Sequence, residues 1–253
     1  MFARKPQQAR AGHIPHVRET ADAYNAEHKL PKIRRRSEPL PLSLDFSRRT
    51  AQEYERLPSG APKDRASKRS YDAFAAETQR QYDWALAHGY TFEPSEADPY
   101  SAPGSTKMAQ MRDDVQERKH LTAYASQLTH PYLSDEDNLR FRFVHDLFGH
   151  AQEGNSIGPR GEYNAAHSHA QMFSRRARPA MLAETHGQNS VVNFSTTPSE
   201  AHGGRSIAEV NAEAPGTIYA EQKGTILPRH LVREFDRLTR GGSGFDRLIG
   251  RKR

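Results

Sequence analysis

Six of the chain's 13 histidines fall between positions 145 and 202: His145, His150, His167, His169, His186 and His202. Glu153, Glu162 and Glu184 lie among them. Neutral imidazole is the commonest metal ligand, and a carboxylate completes a site for iron, manganese or zinc. Any one of these histidines is more simply a hydrogen-bonded core residue. His145 and His150, in the segment FVHDLFGH with Asp146 between them, are expected to be the centre of a metal site.

The spacing constrains how they could meet. Two histidines four residues apart, as in H-E-x-x-H, share one helical face. Here they stand five apart, and at about 100° per residue the second side chain points roughly 140° away from the first. A straight α-helix cannot bring both to one ion. Gly149 offers an exit, letting the backbone leave helical geometry so that His150 swings back over the helix end. Glu184 is the first choice of third ligand, a mid-helix carboxylate beside Met181 and Leu182, with Gln188 one turn on to hold it. Glu162, with His169 seven residues later on its own face, is the alternative.

Two histidines and one carboxylate leave coordination positions open, the arrangement of non-haem Fe(II) oxygenases. Asp146, Gln188 and Asn189 would orient ligands or substrate, and Glu162 and Tyr163 would line the pocket. Zn2+ on the same ligands would instead acidify a bound water, with Glu162 or Glu153 as general base.

The segment His145-Asp146-Leu147-Phe148-Gly149-His150 resembles the iron-binding His-Glu-Leu-Leu-Gly-His motif of the pterin-dependent aromatic amino acid hydroxylases. The resemblance covers about 45 residues and departs from the motif at Asp146. It implies Fe(II), O2 and hydroxylation, with Glu184 as the carboxylate that completes the site. Segments matching the family's pterin-binding and substrate-binding regions are not identified. A broader stretch, about residues 70–228, resembles an uncharacterised domain of bacteriophage proteins. It is carried by Arg112 to Val115, Asp137-Asn138, Phe141 to Gly154, Gly161-Glu162, Ala183 to Ser190 and Tyr219 to Lys223. This resemblance implies an origin rather than a reaction, and the family pattern commonly has Arg at the position of His186.

The elements that must position these residues read as helices, and the fold class is mainly α. Apolar residues of 64–88 recur at spacings of three and four, with Gly89 as a stop. A second helix is expected over 107–127. A third starts at Ser134 and runs into the histidine pair. A Gly/Pro loop (154–161) follows. Further helices are expected over 162–174 and from Pro179, and one more element over 218–227. Residues 46–57 suit a short helix, and 90–104 a loop or short strand. The segment 195–216 reads as loop.

Charge divides the chain. Residues 1–70 carry 16 Lys+Arg and 8 Asp+Glu, residues 229–253 carry 8 and 3, and the 158 between carry 13 and 20. The reading is therefore a basic, largely irregular arm (1–60), a helical metal-binding domain (64–228) and a basic tail (229–253). Hydrophobic residues make up 35% and mean hydropathy is −0.91, low enough that part of the chain is expected not to pack. Basic ends suit nucleic-acid contact through phosphate neutralisation, or a solvated tail. They leave open a phage structural or nucleic-acid-associated protein with a structural metal or none.

With no cysteine, the chain has no disulfide, thiolate zinc, iron–sulfur cluster or cysteine nucleophile. It carries no phosphate loop, no G-x-G-x-x-G and no G-x-S-x-G. No apolar stretch approaches the roughly 20 residues of a membrane span, and residues 1–16 lack a secretory apolar run. The expected location is the cytoplasm of a bacterial host or the virion.

Overall fold

The computed structural model describes residues 12–97, 99–100, 106–126, 128–214 and 218–241. Helices dominate, as the periodicity predicts. The longest, α3 (Arg65–Ala87), is capped by Asp64, whose carboxylate accepts from the amides of Ala66 and Ser67. Its buried residues include Tyr71, Phe74, Thr78, Gln81 and Ala85, one stripe at helical spacing. α5 (Asp135–His145) packs along it, with Phe74 edge-on to Phe141 at 4.7 Å and beside Phe173 at 5.5 Å. Each such fully buried ring contributes about 1.5–3 kcal/mol. Ser134 caps α5 as expected, accepting from the Asp137 amide at 3.1 Å.

α4 (Lys107–Arg118) ends nine residues earlier than the periodicity predicts. Lys119 adopts a left-handed conformation (φ 50°) and the chain turns into β2 (His120–Tyr124). β2 pairs in parallel with β1 (Thr91–Ser95), Thr91 opposite His120 and Ser95 opposite Tyr124. Helical spacing in the sequence could not reveal a pairing that depends on a partner strand across the crossover.

The N-terminal arm departs most from expectation. It carries α1 (Pro15–Glu27), where irregular chain is expected, and α2 (Leu44–Arg56), close to the short helix expected over 46–57. Pro15 begins α1 in its first turn, where its missing N–H is not needed. Val17, Ala21, Tyr24, Phe46, Ala51 and Tyr54 are buried in the same core as α3 and α5. The link between the two helices is pinned by Asn164, which accepts from the Leu40 amide at 2.7 Å and donates to its carbonyl at 3.1 Å. The arm reads as polar because its arginines work inward: Arg18 and Arg35 both reach Glu153.

The remaining elements are α6 (Pro159–His169), α7 (Arg178–Leu182), α8 (Gln188–Phe194), α9 (Ile207–Glu213) and α10 (Arg229–Thr239). α9 lies where a loop is expected, and a capping box of Ser206 and Glu209 starts it. Residues 218–227 form no helix or strand. Of the basic tail, 229–241 is described and contains α10, and the rest lies outside the described residues. No helix among the described residues is long and apolar enough to cross a membrane.

Candidate metal centre

His145 is the last residue of α5, and the chain continues without a break into a π-helical turn over Asp146–Ala151. Its widened hydrogen-bonding is explicit: the Gln152 amide donates to the Leu147 carbonyl, five residues back, at 2.9 Å. In an i→i+5 turn, residues five apart lie one above the other. The rings of His145 and His150 consequently sit 5.1 Å apart and nearly perpendicular (87°). The widened turn, not a helix end, resolves the spacing problem.

Gly149 has a different role from the one its position suggests. It is not among the glycines with positive φ. A Cβ there would lie 3.0 Å from the His145 ring and 3.3 Å from the Ala165 carbonyl. Its absent side chain is the space into which the His145 imidazole packs.

Glu162, in the first turn of α6, supplies the third group. Its Oε2 lies 3.3 Å from His150 Nε2 and 3.9 Å from His145 Nε2. One ligand atom from each of His145, His150 and Glu162 lies within 4.8 Å of the others. Two glycines make this possible. Gly158 enters α6 at φ 137°, open only to glycine. Gly161 lies so close to the preceding loop that a Cβ would sit 1.6 Å from the Ser156 carbonyl oxygen.

Both imidazoles are oriented from behind. His150 Nδ1 lies 3.0 Å from the Asn155 carbonyl, which only accepts, so Nδ1 carries the proton and Nε2 presents a lone pair to Glu162. For His145 the chain of bonds is longer. Gln81 donates its amide to the Met172 carbonyl at 3.1 Å, which turns its Oε1 towards His169 Nε2 at 2.7 Å. His169 is neutral, since burial holds its pKa well below the usual 6.5. It donates from Nε2 and accepts at Nδ1. His145 Nδ1, 3.2 Å away, must then donate, leaving its Nε2 lone pair facing Glu162. Metal-bound histidines hold their second nitrogen in this way.

Two lone pairs facing a carboxylate require a positive charge between them. In the chain alone a proton meets that need: burial opposes charge on His150, but Glu162 outweighs it and lifts the pKa to about 9. Burial would raise Glu162 too, yet His150 and His145 hold it well below the ordinary carboxylate range. A divalent cation would take over the same role. Burial pushes the Asp146 carboxyl up, opposed by both histidines.

Glu184 is not brought to the histidine pair. It lies in a second π-helical turn (Ala183–Gly187), between α7 and α8. Its Oε1 is 2.6 Å from the Tyr71 hydroxyl and 3.1 Å from His130 Nε2, and its Oε2 accepts from Gln188 at 2.6 Å. His130 Nδ1 accepts from the amides of Tyr132 and Leu133, so its Nε2 bears the proton and donates to Glu184. Gln188 thus holds Glu184 as expected, but Tyr71 and His130, both distant in sequence, occupy the carboxylate as well. Glu162, the alternative, stands in its place.

The centre opens on a cavity of about 930 Å3. Its wall includes Asp146, His145, His150, Glu162, Glu184 and Gln188, so Glu162 and Glu184 share one chamber. Ile157 and Tyr219, both about half exposed, also line it. Asn189 and Tyr163 are not part of this wall. Asn189 is turned about 100° from Gln188 on the same helix, and Tyr163 packs between His167 and His186. Glu153 is engaged by Arg18 at 2.5 Å and Arg35 at 3.3 Å. His186 stacks on Phe46 at 5.2 Å. In the sequence only the seven-residue step from Glu162 to His169 hints at a ligand support; Gln81, on a distant helix, carries no such signal.

No protein-family model, curated protein or solved structure matches the chain.

Proposed function

We propose that this chain is a metal-dependent enzyme in which His145, His150 and Glu162 hold a divalent cation at the wall of the cavity, with iron(II) and dioxygen as its working pair. The observation that carries the reading is the convergence of two oriented Nε2 lone pairs and one carboxylate within 4.8 Å. Three protein ligands of this kind leave positions open, and iron held there would supply oxygen chemistry. A volume of about 930 Å3 suits a small organic substrate beside it. Asp146 stands next to the ligands on the wall, where it would orient a bound substrate or carry a proton. Glu184 and Gln188 would contribute a second polar contact. A pterin cosubstrate rests only on the motif resemblance, and no wall residue is assigned to it. On its resemblance to a bacteriophage domain, the enzyme would act in an infected bacterial cell.

A zinc hydrolase on the same ligands is the second reading. It is weaker because both carboxylates considered as its general base are committed: Glu162 to the ligand set, Glu153 to Arg18 and Arg35. Asp146, beside the ligands on the wall, would be left for that work.

The test is elemental analysis of protein supplied with iron and zinc, followed by oxygen uptake with a reductant present. Stoichiometric iron with oxygen uptake that His145→Ala abolishes supports the first reading. Zinc with turnover under nitrogen supports the second. Protein that takes up neither metal sinks both.

A further inference from the structure

α6 separates two chemically opposite regions. Glu162 on one side faces the metal cavity. Five residues on, His167 stacks on Phe235 of α10 at 4.2 Å and hydrogen-bonds Thr239 at 2.7 Å. Beyond that contact, the outer side of α10 is basic. Its two acidic residues are drawn into pairs, Glu234 with Arg49 at 3.0 Å and Asp236 with Arg178 at 3.4 Å and Arg240 at 3.1 Å. Arg229, Arg233 and Arg237 are exposed, and among the described residues no carboxylate pairs with any of them. They stand four residues apart, about 6 Å per step along one strip of the helix.

The run Arg34-Arg35-Arg36 meets α10 at its C-terminal end. Arg35 turns inward to Glu153 and Asp22. Arg34 and Arg36 instead reach the end of α10, donating to the carbonyls of Arg240 at 2.5 Å and Leu238 at 2.7 Å. Each guanidinium has further donors beyond that one bond.

We propose that the arginine row of α10, extended by Arg34 and Arg36, docks the phosphate backbone of nucleic acid without reading its bases. Guanidinium groups match phosphate oxygens in bidentate pairs. The large exposed apolar residues among those described are Leu44, Leu86, Ile157 and Tyr219, none of them on α10. The row thus lacks the aromatic platform that unstacked bases need, which favours a duplex. A membrane fits less well, because the apolar side of α10, with Leu231 and Phe235, is already buried in the core. This surface is independent of the metal reading.

The test uses the full chain and fluorescence anisotropy with two labelled duplex DNAs of unrelated sequence, between about 50 and 200 mM salt. Equal affinity for both is expected, falling steeply with salt. Arg229→Ala/Arg233→Ala/Arg237→Ala should weaken binding at least tenfold at low salt. It should also flatten the log–log salt slope by about 2.7, roughly 0.9 for each lost phosphate contact. The triple Lys variant should keep the slope, and His145→Ala should bind as the wild type does. The proposal is overturned if wild type does not bind duplex, if the Ala variant keeps affinity and slope, or if phosphatidylserine vesicles bind and duplex does not.

Discussion

His145 and His169 face each other Nδ1 to Nδ1 at 3.2 Å, and only one proton fits between them. Because Gln81 fixes His169 as the acceptor, a residue of α3 decides which nitrogen of His145 is free for a metal.

Breaking that chain should weaken the site without touching a ligand. His169→Phe keeps an aromatic ring but removes the acceptor, and Gln81→Met removes the group that orients it. Each is expected to lower metal affinity about 10–100-fold, measured by competition with a chelator. Gln81→Glu retains an acceptor for His169 and should lose less. Unchanged affinity in both breaking variants would show that His145 is oriented some other way.

Gly149→Ala would press a methyl group onto the His145 ring at 3.0 Å. The ring is hemmed in by Phe141, His150 and His169. The expected cost is about 1–3 kcal/mol of stability, together with weakened metal binding, read from denaturant melts and metal titration. If Gly149 served only to bend the backbone at a helix end, alanine would be tolerated by the ring and His150 alone would be displaced.

The metal-free chain should lose stability on the alkaline side. His150 is raised from 6.5 to about 9, so its pairing with Glu162 is fully present below about 6.5 and is lost as pH rises through 9. Glu162 is shifted the other way, and its contribution, present above its ordinary 4.5, is lost on acidification. Metal must displace the His150 proton, so uptake near neutral pH should release protons and strengthen with pH. Melts of chelator-treated protein between pH 6.5 and 9 check the first point, with His150→Gln as the variant in which the decline should flatten. A pH indicator during metal addition checks the second.

The helices around the site were largely legible: Ser134 and Asp64 cap as their types predict, and the α3 stripe follows from Tyr71, Phe74 and Thr78. The histidine pair was legible as well, but its geometry was not. A π-turn is closed by bonds five residues apart, and nothing in HDLFGH distinguishes it from a frayed helix end. In the sequence Glu184 outranks Glu162 because a mid-helix carboxylate beside Met181 and Leu182 needs partners. Those partners proved to be Tyr71 and His130, which the fold brings from elsewhere in the chain. Of the arm's two helices α2 was legible and α1 was not: Arg18 of α1 and Arg35 beyond it look solvated in sequence, while Glu153 draws both inward.

The identity of the carboxylate ligand is the point on which the account turns. The direct measurement is metal content per chain, by elemental analysis, of wild type, Glu162→Gln and Glu184→Gln prepared identically with iron supplied. The account predicts about one ion in wild type, little or none in Glu162→Gln, and near wild-type content in Glu184→Gln. Metal retained without Glu162 and lost without Glu184 would contradict it.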